Sequence, residues 1–228
     1  MILGVITYDH NHLKTEQILN HLILNKDIKE IKLYALKFSY RIRREEIFRH
    51  RPDQNLGKHP KEFEINSKVT FNHWDGNEHI HHECDYFIIG GAGLINVGQF
   101  KEKIFNVHPG IIPISRGLDS FKWAIYLGKP LGVTLHVPSD EIDLGTLKKI
   151  SYTPVLKEDT LSSLSIRHYK NEIDTLINFK KFINSNLSYN NKIEKATKRM
   201  NSELEAEMIK SFPEWKKNQI NNTSQDYQ

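Results

Sequence analysis

Asp85-Tyr86-Phe87-Ile88-Ile89 runs into Gly90-Gly91-Ala92-Gly93, and Ile104-Phe105-Asn106-Val107 runs, through His108, into Pro109-Gly110. Each is a short apolar run that ends in backbone-exposing residues, as a buried strand does where its carboxyl end opens into a loop. Upstream, Ile2 to Tyr8 is a third such run, Thr15 to Leu24 carries Ile18, Leu19, Leu22 and Leu24 at helical spacing, and Ile31 to Leu36 is apolar again. Downstream, Phe121 to Leu127 reads as a helix and Gly132 to Val137 as a strand. Strands alternating with helices predict an α/β fold, a Rossmann-like, mostly parallel sheet with helices on both faces. In such sheets the ligand crevice lies at the carboxyl ends of the strands.

The character changes after about Ile150. Ser151 to Leu156 reads as a strand, Asp159-Thr160 as a helix start before Leu161, Leu164 and Ile166, and the chain from Asn184 onward is rich in Asn, Lys and Glu. Leu204, Met208, Ile209, Phe212 and Trp215 are its apolar anchors. This gives a main domain over 1–150 and a C-terminal strand and helical extension over 151–228, peripheral and disordered near Gln228. Because the tail's anchors are too few for a core of their own, a homodimer joined through residues after Ile150 is expected, with a monomer whose tail wraps its own domain as the rival.

A chain of 228 residues can bury one sizeable core. Its single cysteine, Cys84, excludes an intrachain disulfide, and no apolar stretch reaches the roughly 20 residues that span a bilayer. The start Met1-Ile2-Leu3-Gly4 has no basic flank and reads as a first strand, not a signal peptide, so a cytoplasmic protein without membrane contact is expected. Net charge is +4, and only Arg41-Ile42-Arg43-Arg44 with Arg49 and Arg51 is densely basic. That is too sparse for a nucleic-acid partner and enough for a small phosphorylated ligand. A solvated helix face, with Glu45 and Glu46 beside the arginines, is the bland alternative. His79-Ile80-His81-His82-Glu83-Cys84 lacks common metal-ligand spacing and a second cluster, so no metal is expected.

Asn106 and His108 are two apart on a strand and share one side of it. With Asp143 they supply an amide, an imidazole and a carboxylate, groups that can hold a carbonyl, move a proton and fix the mover. Singly, each has a plain alternative: a strand-end hydrogen bond for Asn106, a turn before Pro109 for His108, and a turn before Leu144-Gly145 for Asp143.

Taken together, Asn106-Val107-His108-Pro109-Gly110-Ile111-Ile112-Pro113, Arg116-Gly117, Gly132-Val133-Thr134-Leu135-His136 and Ile142-Asp143-Leu144-Gly145 resemble the signature of the folate-dependent formyltransferases, closely over residues 85 to 150. The resemblance implies that fold, transfer of a formyl group from 10-formyltetrahydrofolate to an amine, and Asn106, His108 and Asp143 as catalytic residues. Asn106, with protonated His108, would stabilise the carbonyl oxygen, His108 would relay the proton, and Asp143 would orient the imidazole or hold a relaying water. The folate is expected against Gly91, Gly93, Leu94, Ile95, His136 and Ile142, with His136 either a wall or a structural residue. The segment Gly90 to Gly93 is more glycine-rich than is usual in the family. A dinucleotide fingerprint is the competing reading of these glycines, and no G-x-G-x-x-G is completed.

Within the family, a tRNA acceptor is disfavoured because only 78 residues follow Ile150. A purine-pathway ribonucleotide is disfavoured because Tyr8-Asp9-His10-Asn11-His12 is not a glycine-rich, serine-containing phosphate loop. Phe48-Arg49-His50-Arg51-Pro52-Asp53-Gln54 is similar to a block of the small sugar N-formyltransferases. The resemblance therefore implies a nucleotide-linked amino sugar as acceptor, with dTDP-4-amino-4,6-dideoxyglucose of surface polysaccharide (O-antigen) synthesis as the first candidate. Tyr8, His10, Arg49, His50, Arg51, Pro109 and Gly110 would contact it. A formyltetrahydrofolate hydrolase, which usually carries an N-terminal regulatory domain, and a non-catalytic folate or nucleotide-sugar binding module are the remaining alternatives.

Overall fold

The structure is a computed structural model that describes residues 1–39, 45–93, 95–189 and 192–225. The basic run 41–44, Leu94 and the terminal Gln228 lie outside the described residues. The chain runs β1 (Ile2–Tyr8), α1 (Leu13–Leu22), β2 (Glu30–Leu36), β3 (Val69–His73), β4 (Tyr86–Ile89), β5 (Ile104–His108), α2 (Ser120–Tyr126), β6 (Gly132–Pro138), β7 (Gly145–Tyr152), α3 (Leu161–Ile177) and α4 (Ser202–Gln225). The seven strands form one sheet in the order β3-β2-β1-β4-β5-β6-β7. β3 to β5 pair in parallel, and β6 and β7 add an antiparallel edge.

Strand alternation divides the side chains between two faces. Leu3, Val5, Leu33, Ile88, Phe105, Val107, Val133 and Leu135 enter one core with Ile18, Leu19 and Leu22 of α1 and Tyr169, Ile173 and Leu176 of α3. Ile6, Tyr34, Phe87 and Ile104 enter the other, where Trp74, Ile80, Cys84 and Phe100 from connecting segments cover them. The second face is thus closed over its parallel half by loops and the 3-10 segment Gly98–Lys103.

One expectation from sequence needs correcting, and the packing argument behind another is met differently. Of the strand read at Ser151 to Leu156 only Ser151 and Tyr152 are in a sheet: they end a longer strand, β7, which starts at Gly145 and crosses the position where the domain boundary was drawn. The tail's anchors also need no second copy. Met208, Phe212 and Trp215 are buried with Phe121 and Ile125 of α2 and Leu164 of α3, so the packing argument for a homodimer is met within one chain. α3 begins where the sequence placed it. The Thr160 hydroxyl accepts from the Ser163 N–H, and the Ser163 side chain accepts in return from the Thr160 N–H. Among the described residues no helix is long and apolar enough to cross a membrane.

Candidate active site

Asn106 and His108 end β5 and point away from Phe105 and Val107, onto the face opposite α1 and α3. The antiparallel register sets Asn106 opposite His136 and His108 opposite Thr134. Asp143 comes from the turn between β6 and β7, where it takes a positive φ of 49° that Asp tolerates better than most residues. Its Oδ1 lies 3.2 Å from His108 Nδ1, and its Oδ2 accepts the Gly117 N–H at 2.7 Å. Burial alone would raise this carboxyl. The hydrogen bond and charge of His108 and the Gly117 N–H outweigh it and hold the carboxylate below its ordinary range.

The other imidazole nitrogen of His108, Nε2, lies 2.8 Å from the Ser115 carbonyl and 3.1 Å from Ser120 Oγ. Both ring nitrogens therefore face oxygen, and an imidazole that gains a second proton finds an acceptor for it. A Cβ on Gly110 would come within 2.7 Å of this nitrogen, which explains a glycine after the motif's proline. The Pro109 carbonyl faces His168 Nε2 at 3.3 Å. Pro109 and Gly110 thus shape the ring's seat.

His136, expected as either a wall or a structural residue, lies under Asn106. It is 1% exposed, with Nδ1 on the Leu144 carbonyl at 3.1 Å and Nε2 on Asn106 Nδ2 at 3.2 Å. It orients Asn106 and does not line the crevice. Of the other residues expected against a folate, Gly91 packs beneath the Tyr8 and His12 rings, where a Cβ would come within 2.6 Å of His12. Gly93 has open space beside it, Ile95 packs partly into the second-face core, and Ile142 is 55% exposed.

At the acceptor side, the His10 ring stacks on Phe38 at 4.5 Å and its Nε2 meets Asn55 Oδ1, while Tyr8 meets Phe38 and His12 edge-on. Segment 48–54 crosses between helices: His50 stacks on Phe121 of α2 and Gln54 Oε1 accepts the Lys14 N–H of α1. Two residues there are occupied in ways the sequence did not foretell. His50 is held uncharged, its pKa pushed well below the usual value by burial, so it packs and does not grip an anion. Arg51 lies over the Tyr169 ring, and its guanidinium is 2.5 Å from Glu172, which Lys14 also reaches at 2.7 Å. Glu172 is 1% exposed. Burial raises its carboxyl, but the charges of Arg51 and Lys14 win and bring it to about 2. Arg49 is 56% exposed, with Asp53 at 3.7 Å.

The sequence reading missed Ser115, Ser120 and the backbone of Gly117 as partners of the His108–Asp143 pair. Arg116-Gly117 within the motif was the available signal. Among the described residues no group of His, Cys, Asp and Glu is arranged to hold a metal. A cavity of about 570 Å³ lies at the other end of the sheet, between Met1, Asp85, Lys103 and Lys148, away from this chemistry.

Residues 86–179 match the family model described as formyl transferase. Over 75 residues the chain is 31% identical to phosphoribosylglycinamide formyltransferase of Haemophilus influenzae, covering 32% of this chain and 35% of that one. Over 96 residues it is 29% identical to the trifunctional purine biosynthetic protein adenosine-3 of Chironomus tentans, covering 40% of this chain and 7% of that one. The match therefore spans about a third or less of these relatives. Among solved structures, a 4-N formyltransferase from Francisella tularensis superposes with a TM-score of 0.60 at 14% identity, over 91% of this chain and 86% of that one. Phosphoribosylglycinamide formyltransferase from Anaplasma phagocytophilum gives 0.56 at 21% identity, over 80% and 85%. A sugar N-formyltransferase from a Shewanella species gives 0.56 at 16% identity, over 86% and 75%. The matched segment runs from β4 to just past the end of α3 and carries Asn106, His108 and Asp143 in one cluster, so it is over this stretch that the chain is similar to the formyl transferases.

Proposed function

We propose that this protein transfers the formyl group of 10-formyltetrahydrofolate to the amine of a nucleotide-linked amino sugar, with dTDP-4-amino-4,6-dideoxyglucose as the first candidate. The observation that carries the reading is the convergence of Asn106, His108 and Asp143 at the carboxyl end of β5. The folate would lie against Gly91, Gly93, Ile95 and Ile142, and it supplies an electrophilic formyl carbon. Asn106 donates an amide N–H to the formyl oxygen as that oxygen gains charge, a contribution of about 3 kcal/mol in comparable sites. Asp143, with its side chain 20% exposed, is the more open member of the ion pair and receives the proton leaving the amine. His108 behind it shares that proton through Nδ1, and the proton passes on to the folate nitrogen as its bond to the formyl carbon breaks, leaving tetrahydrofolate and the formamide.

For the acceptor, Arg49 is an exposed cation on the segment that crosses from α2 to α1, and Tyr8, His10 and Phe38 form an aromatic edge at the end of β1. A second reading, transfer to a phosphoribosyl amine, is favoured by the names of the sequence relatives. Against it, the residues after β1 include Asp9, a carboxylate 3.2 Å from both His59 and His73, where a phosphate loop would carry small side chains. Incubation with 10-formyltetrahydrofolate and a panel of dTDP- and UDP-linked amino sugars, with glycinamide ribonucleotide alongside, tests the choice by mass spectrometry. Gain of one formyl group by an amino sugar supports the reading; gain only by the ribonucleotide, or release of formate alone, overturns it.

A further inference from the structure

Asp143 has a second anchor besides His108, the Gly117 N–H, and Gly117 sits at φ +91° in a loop outside any helix or strand. That loop is held by the C-terminal extension. Thr197 pairs with Gly117 as a one-residue parallel bridge: the Thr197 N–H donates to the Arg116 carbonyl at 2.9 Å, and the Leu118 N–H donates to the Thr197 carbonyl at 2.9 Å. The Thr197 hydroxyl lies 2.8 and 2.9 Å from the Arg116 and Leu118 carbonyls and can donate to either. Arg116 joins the two sides. Its Nε and one terminal nitrogen donate to the Ile142 carbonyl, next to Asp143, while the other donates to the Glu194 carbonyl at 2.9 Å. The Glu194 N–H returns to the Pro113 carbonyl, and the Met200 N–H to Asp119. Contact is so close that a Cβ on Gly117 would stand 2.2 Å from the Thr197 carbonyl oxygen.

We propose that segment 194–200 is a positioning strap for catalysis, with Thr197 as its central residue, fixing Gly117 and so the carboxylate of Asp143 against His108. The proposal rests on the reading of Asp143 as a catalytic group. Apart from the strap, the loop is tied by the Ile114 and Ser115 N–H groups to the Ile111 carbonyl, by Arg116 to the Ile142 carbonyl and by the Ser120 hydroxyl to the Gly117 carbonyl at 3.1 Å, while the Arg116 carbonyl and the Leu118 N–H, on either side of Gly117, are held by Thr197. The extension then completes the site from outside the matched family segment.

Thr197→Pro removes the donor to Arg116 and the hydroxyl, while Thr197→Ser keeps both. Amide exchange of Gly117 and Leu118, measured on the chain without substrates, should speed up at least about ten-fold in the proline variant and stay at the wild-type rate in the serine variant. Formyl transfer by Thr197→Pro should lose about ten-fold or more in kcat, with both KM values within about three-fold, and Thr197→Ser should restore it. Thr197→Val, a milder change, should shift both readouts in the same direction by a smaller factor. Unchanged exchange at Gly117 in the proline and valine variants overturns the strap. So does accelerated exchange with kcat within about two-fold of wild type. Because exchange is read without substrates, it judges the strap even if the acceptor assignment fails.

Discussion

His136 Nε2 lies 3.2 Å from Asn106 Nδ2, across the β5–β6 pair, and this bond decides which end of the Asn106 amide faces the crevice. His136 Nδ1 faces the Leu144 carbonyl, so it must carry the hydrogen, and Nε2 is left as an acceptor for the Asn106 NH2. Burial holds the ring uncharged, with its pKa lowered to about 4. The amide is then fixed with one N–H on His136 and the other available to a substrate oxygen.

Replacing His136 by Phe keeps the volume and removes both bonds. The amide of Asn106 is then free to turn, and kcat for formyl transfer should fall about ten-fold or more with little change in KM. Steady-state kinetics check this, and a wild-type kcat would mean that Asn106 needs no such support.

Stability should fall as pH drops from about 6.5 to 4. His136 and His168 are both lowered to about 4 and His12 to about 3, each chiefly by burial. Below the ordinary value of 6.5 the unfolded chain takes up these protons and the folded one does not, so each of the first two should cost about 2 kcal/mol at pH 5. Urea unfolding at pH 7 and pH 5 measures it. Equal midpoints would contradict the burial of these rings.

Glu172→Ala leaves Lys14 and Arg51 facing each other in a buried site. The expected loss is about 3 to 5 kcal/mol of folding stability. Replacing Lys14, Arg51 and Glu172 together by Met, Met and Leu should lose less than Glu172→Ala alone, because no uncompensated buried charge then remains in the site. Denaturant unfolding of the three chains tests the order.

Arg49→Ala should raise KM for the nucleotide-linked sugar several-fold and leave kcat and the folate KM unchanged, since this cation is exposed and packs against nothing the ion pair needs. An unchanged sugar KM would assign the arginine to the solvated surface.

The strands that end at the site were legible because they are short apolar runs terminated by Gly or Pro, as at Ile88–Ile89 and Phe105–His108. β3 was not, because Val69–His73 is an edge strand with one buried residue and little apolar pattern. β7 was misread because Lys148 and Lys149 interrupt its alternation. Lys148 is nonetheless buried, its ammonium held by the Ile183 carbonyl and Asn186, a contact 35 and 38 residues away that local pattern cannot reveal. The pairing of Asn106, His108 and Asp143 could be expected from motif order. The part His136 plays, the seat of Arg51 on Glu172 and the hold of Thr197 on Gly117 depend on contacts distant in sequence, for which the residues carry no mark of their own.

The most direct measurement is formyl transfer by Asp143→Asn under saturating substrates. The amide oxygen can still accept the Gly117 N–H, so the loop keeps its anchor while the negative charge beside His108 is gone. The account predicts a fall in kcat of at least about 10², with the acceptor KM within about three-fold. A rate near that of wild type would remove the His108–Asp143 pair from the reaction and contradict the account.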